Sequence, residues 1–239
     1  MKVTQWIKFA RTYAKPQTNL SPVIRWSRFK DYGRGVRRQS TLDHTCGLSL
    51  FGDDFINTFE PYLHLDHELL RRAFEVHDFG EGELKRDVMY LDKTHQKDAD
   101  EYVAFKKRWQ VLGRASWHRR REAFLLQFAL ENPKEFPDEA RRVMRRLAKM
   151  HRFEALAFGV IEHWDYLLFA LEQWEERKNP VVLCAVLTNC WEKFNGLARD
   201  FPGFSEVCWT LGFVRWALEF QEKHVKEYQR FLKAMEKKS

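Results

Sequence analysis

The chain has 239 residues, 44% hydrophobic and 31% charged, with 11 Gly and 7 Pro. That composition excludes a disordered or fibrous chain, and the length is enough to bury a core without disulfide staples. A surplus of 41 Lys and Arg over 34 Asp and Glu leaves a formal charge of +7; spread among so many acids, it permits phosphate contact without singling out nucleic acid.

Residues 1–15, MKVTQWIKFARTYAK, read as a short amphipathic helix with Trp6, Phe9 and Ala10 on one side. The segment is broken by charge every few residues and lacks the apolar stretch of a secretory leader. From Pro16 to Arg38 no helical or strand period persists, and Gly33 and Gly35 punctuate a basic loop carrying Arg25, Arg28, Arg34, Arg37 and Arg38. A helix is predicted from Leu42 to Tyr62, capped by Ser40 or Thr41, with His44, Leu48, Phe51 and Phe55 along one stripe. Asp66 caps the next helix, whose Leu69, Leu70, Ala73, Phe74 and Val76 run directly into His77-Asp78 and end near Gly80.

A turn over GEGELKRD then leads into a charged helix near Lys97 to Trp109. Helices follow over 119–131 and over 138–178, the latter divided near Lys149 to Phe153 and closed by Asn179-Pro180. The last two run from Val181 to Leu197 and from Glu206 to the end. No strand pattern, internal repeat or Gly/Ser linker competes, so the expectation is one compact all-α domain, with 20 Phe and 9 Trp to be buried in a core or an oligomer interface. The four cysteines form no CxxC pair, and the longest apolar run in the C-terminal half, Val181 to Leu187, is far short of the roughly 20 residues that span a bilayer. A soluble, cytoplasmic protein with no membrane partner is expected.

The strongest chemical signal is His77-Asp78 followed by Glu81, in EVHDFGEG. An imidazole and a carboxylate side by side after an apolar helix are two groups that are hard to bury, and a divalent cation makes their burial favourable. His44 begins the apolar stripe one helix earlier. Asp165 lies among Phe158, Ile161, Leu168 and Phe169 at helical spacing, where an isolated carboxylate is costly. His64 and His67 have ligand spacing but precede an ordinary helix that Asp66 caps. His95, His118, His151 and His224 lie in charged surroundings, and His163 diverges from Asp165 on a helix. The arginines of WHRRRE and ARRVMRRLAKMHR read as solvated helix faces ahead of a nucleic-acid surface.

Taken together, STLDH, FEVHDFGEG, LDKTHQKDADEY and IEHWDYLLFALEQWE resemble the HD-domain metal-dependent phosphohydrolases, most closely the 5'-deoxynucleotidase-like branch, over roughly residues 24–178. The resemblance implies an HD-type domain over 1–178 with a C-terminal helical extension, 179–239, packed on it. It implies one divalent metal, Mn²⁺, Co²⁺ or Zn²⁺, on His44, His77, Asp78 and Asp165. Glu81 and, one residue out of register, Asp87 are the implied catalytic acids, and the implied phosphate clamp is an arginine of the basic loop, Arg25, Arg28, Arg34 or Arg38, with Arg28 and Arg38 favoured. A homodimer that hydrolyses (deoxy)nucleoside 5'-monophosphates is expected. Nucleoside triphosphates, alarmones and cyclic dinucleotides are alternative substrates, and a non-catalytic nucleotide- or nucleic-acid-binding regulator is the alternative class.

Overall fold

A computed structural model describes residues 19–30, 32, 34–86 and 93–236. The helix expected over 1–15 and the candidate acid Asp87 lie outside the described residues. The helices are α1 (Thr41–Phe59), α2 (His67–Val76), α3 (Phe79–Leu84), α4 (His95–Trp109), α5 (Arg114–Leu126), α6 (Asp138–Met150), α7 (Arg152–Arg177), α8 (Pro180–Asp200), α9 (Phe204–Val207) and α10 (Leu211–Glu236). Single 3-10 turns occupy Ser27–Phe29 and Gln110–Leu112. The fold is all-α: among the described residues, extended pairing is limited to one antiparallel bridge between Ile24 and Ser40. No helix of the described residues is long and apolar enough to cross a membrane.

The chain gathers into two compact units. Of the described residues, the first takes 19–25, Gln39–Ile56 and Leu65–Phe158, and the second takes Trp26–Arg38, Asn57–His64 and the chain from Gly159 onward. The division between the units falls inside α7. Aromatic packing accounts for its place: beyond Gly159, Trp164 meets Phe194, Phe204 and Phe213, and Trp174 meets Phe220. These rings tie the second half of α7 to α8, α9 and α10.

In the first unit, helix starts follow the caps written in the sequence. Ser40 and Asp43 cap reciprocally, Asp43 accepting from the Ser40 amide at 2.8 Å and Ser40 Oγ from the Asp43 amide at 3.1 Å. Asp66 and Thr94 accept from the amides three residues on, Leu69 and Lys97. Phe105 stacks on Phe124 at 4.4 Å, and Phe79 on Trp109 at 5.1 Å, so α3, α4 and α5 share one aromatic core. The second unit buries Phe29 against Phe231 at 4.7 Å and Trp26 against Phe169 at 4.8 Å. Its Asn179 caps α8 at Val181 and donates to the Gly35 carbonyl at 2.8 Å.

Three segments depart from the sequence pattern. The helix expected over 119–131 begins earlier, at Arg114 after Gly113 with φ 93°, and ends at Leu126. The stretch from Glu206 divides into α9 and α10. Gly80 and Gly82, read as a turn, lie inside α3. Their role there is close approach: a Cβ on Gly80 would stand 2.6 Å from the Glu101 carbonyl oxygen, so α3 rests directly on α4. Gly80→Ala is expected to force these helices apart and to cost about 1–3 kcal/mol of stability, as overpacking does. Urea unfolding checks this, and a midpoint equal to that of the parent chain would contradict it.

Candidate metal centre

Two short backbone pairings build the centre. The Arg25 amide donates to the Gln39 carbonyl at 2.9 Å and the Thr41 amide to the Val23 carbonyl at 2.9 Å, which zips 23–25 against the start of α1. The capping box then sets the first turn of α1, and the His44 amide closes it on the Ser40 carbonyl. His44 is thereby placed one turn into the helix, fully buried.

His77 ends α2, and Asp78 stands outside helical geometry at φ −93°, ψ 3°, before α3 begins at Phe79. The doublet is a joint between two helices rather than part of one continuous helix. His77 Nδ1 lies 2.9 Å from the Phe74 carbonyl, an atom that can only accept, so this nitrogen carries the proton and donates. Nε2 is thus turned inward, the orientation that such a carbonyl contact imposes on metal-binding histidines. It lies 3.3 Å from His44 Nε2 and 3.1 Å from Asp78 Oδ2, with His44 Nε2 3.8 Å from the same oxygen. Phe158 closes one side, its ring centroid 5.5 Å from that of His77.

These donors fit a divalent ion. Ligands 2.0–2.2 Å from a metal at tetrahedral or octahedral angles sit about 3.0–3.5 Å from one another, close to the separations found. His44, His77 and Asp78 are 0, 2 and 4% exposed, and their donor atoms group within 4.8 Å. Burial alone would raise the Asp78 pKa. When His77 also carries a proton on Nε2, its charge and hydrogen bond, then His44 and Arg25, outweigh it and hold the carboxyl below the ordinary carboxylate range.

Of the sequence candidates, His44, His77 and Asp78 come together. Asp165 is half-buried on α7 in the second unit, outside this group. Arg28 and Arg38 are exposed in the second unit. The arginine at the centre is Arg25, 9% exposed, with Nη1 3.4 Å from Asp78 Oδ2. Nothing in the spacing of the five loop arginines distinguishes it, because the 23–25 pairing that turns it inward is made with residues 39–41. His64 remains at the surface against Glu60, and His163 bonds the Gly159 carbonyl. Arg141 and Arg146 pair with Asp138 and Glu122.

Glu81, 3% exposed, projects from α3 toward a second charged group. Lys93 Nζ lies 3.7 Å from Glu81 Oε1, 3.8 Å from Asp98 Oδ1 and 3.7 Å from Glu101 Oε2. Burial pushes the Asp98 and Glu101 carboxyls up, against the pull of Lys93. The i, i+3 spacing of Asp98 and Glu101 on a helix was legible in KDADEY; their burial was not. Comparison with protein-family models, with curated proteins and with solved structures returns no match to this chain.

A carboxyl that holds its proton more tightly when folded favours the fold as pH falls toward its raised pKa and penalises it above. Glu101→Gln is therefore expected to raise the melting temperature by about 2–4 °C at pH 8, roughly 1 kcal/mol for a chain of this size. The advantage should shrink as pH is lowered toward 5. Calorimetry across that range checks it, and a pH-independent difference would contradict it.

Proposed function

We propose that the chain is a divalent-metal-dependent phosphohydrolase of the HD-domain kind, acting on (deoxy)nucleoside 5'-monophosphates to release nucleoside and phosphate. The observation that carries this reading is the Arg25 guanidinium set 3.4 Å from the carboxylate of a buried His-His-Asp group. A divalent cation there, balanced by the single charge of Asp78 and joined by Arg25, leaves a local excess of two positive charges. A phosphomonoester dianion is the matching ligand.

His44, His77 and Asp78 would hold the ion, which supplies Lewis acidity at a phosphate oxygen. The reading rests on these three residues; Asp165, the fourth ligand that the resemblance implies, is not needed for it. Arg25 takes the place assigned to a loop arginine, its planar fork pairing two phosphate oxygens. The Arg25 side chain is already buried and paired with Asp78, so little of its freedom remains to be lost on binding. Glu81, three residues beyond Asp78 on the following helix, is the general acid-base. Its carboxylate accepts the proton of the attacking water as the P–O bond forms, then returns it to the 5'-oxygen as the ester bond breaks. The nucleoside leaves as a neutral alcohol, and no co-reactant other than water is consumed.

Cytoplasmic location and a homodimer belong to this proposal as properties of the family resembled. The experiment is phosphate release from a panel of 5'-mononucleotides, deoxynucleoside triphosphates, guanosine alarmones and cyclic dinucleotides with Mn²⁺, Co²⁺, Zn²⁺, Mg²⁺ or chelator. Metal-dependent conversion of mononucleotides to nucleosides is expected; turnover of another class alone would move the assignment to that substrate. His77→Ala and Asp78→Ala are expected to abolish stoichiometric metal binding and turnover together. Glu81→Ala should keep the metal and lose on the order of 100-fold in kcat, the scale of a missing general acid-base. Arg25→Ala should act mainly through KM. Tight metal binding that survives both His77→Ala and Asp78→Ala would reject the site.

A further inference from the structure

Burying three carboxylates is expensive, and a fold selected for stability alone would avoid it. Glu81, Asp98 and Glu101 are nevertheless 3, 6 and 1% exposed and converge on the ammonium of Lys93. The three distances, 3.7, 3.8 and 3.7 Å, are nearly equal and longer than a direct hydrogen bond. Each of the three acids thus lies within ion-pair reach of one ammonium. Such a group beside a metal-binding cluster is where function, rather than stability, accounts for buried charge.

We infer that Lys93 is a positioning residue that holds the Glu81 carboxylate for proton transfer, with Asp98 and Glu101 as the anchors of the lysine. The inference rests on the reading of Glu81 given above. Both ends of this arrangement are fixed by backbone. Thr94 caps α4 immediately after Lys93, so the lysine enters beside the helix that carries its two anchors at i, i+3 spacing. Gly80, next to Glu81, lets α3 lie against the Glu101 backbone, which brings the third acid to the same ammonium. Arg86 adds a weaker attraction on Glu101, and His95 on Asp98, so neither anchor depends on the lysine alone. A cation held in this way limits the positions that the Glu81 carboxylate samples, so that one oxygen stays aimed for the transfer.

The test is a double-mutant cycle on the Mn²⁺-loaded full-length protein, with the 5'-mononucleotide that the parent chain hydrolyses fastest. The set comprises Lys93→Met, Lys93→Arg, Glu81→Gln and the Lys93→Met/Glu81→Gln pair. Lys93→Met is expected to lower kcat about 10–100-fold while KM stays within about threefold, and Lys93→Arg to restore most of the loss. In the Glu81→Gln background the same change should cost less than about twofold, since a residue acting through Glu81 has nothing left to position.

Losses that multiply in the double variant, together with a lower melting temperature and metal occupancy, would make Lys93 merely structural and overturn the inference. A rise in KM in both backgrounds would place Lys93 on the substrate and overturn it as well. If Lys93→Met does not fold, Lys93→Met/Glu101→Gln removes one buried anion with the cation and must show the same loss in kcat. Parent activity with full activity of Glu81→Gln would overturn the role of Glu81 and with it the inference, while leaving the metal centre standing. Absence of hydrolysis across the whole panel would overturn the reading of the centre and the inference together.

Discussion

Two imidazole nitrogens and a carboxylate oxygen face one another at 3.1 to 3.8 Å in the protein interior, and their burial depends on shared protons or positive charge to offset lost hydration. The surrounding first unit is organised to keep these atoms there. The capping box fixes the turn that carries His44, and the break between α2 and α3 lets adjacent residues present an imidazole and a carboxylate at one place. The Phe74 carbonyl dictates which ring nitrogen of His77 faces inward. Of these devices, the break at Asp78 costs local helical regularity, whereas the capping box adds to it.

Charge is distributed with similar economy. Arg25 stands on the Asp78 side of the cluster and Lys93 among the acids that follow it, so each buried group of carboxylates has its own cation. On the proposed reading the two cations differ in task, Arg25 meeting the substrate phosphate and Lys93 disciplining the acid that moves the proton. The close contact of α3 with α4 at Gly80 couples them mechanically, because Asp78 opens the helix on which Glu81 lies.

The buried thiols of the second unit illustrate the opposite case, in which reactive groups are rendered inert. Cys184 and Cys190 lie on the apolar face of α8, and burial pushes their pKa values up to about 12. Thiols so far from ionisation behave as small apolar side chains that fill space in the core.

Local sequence was sufficient for what depends on neighbours along the chain. Apolar spacing at three and four residues marked the helices, Ser40 and Asp66 marked two of their starts, and the His77-Asp78 doublet marked an imidazole and a carboxylate to be buried together, since caps and helical faces are set within a few residues. Gly80 misled because a glycine in sequence reads as flexibility, while here it serves an approach between helices that only the fold reveals. Arg25 was indistinguishable from Arg28 and Arg38 for a related reason: its inward turn is made by a bridge to residues 39–41. The convergence of Glu81, Asp98 and Glu101 on Lys93, and of His44 on His77, likewise belongs to tertiary structure. Separations of 5 to 33 residues along the chain collapse to a few ångströms only when helices pack, and no local rule encodes that distance.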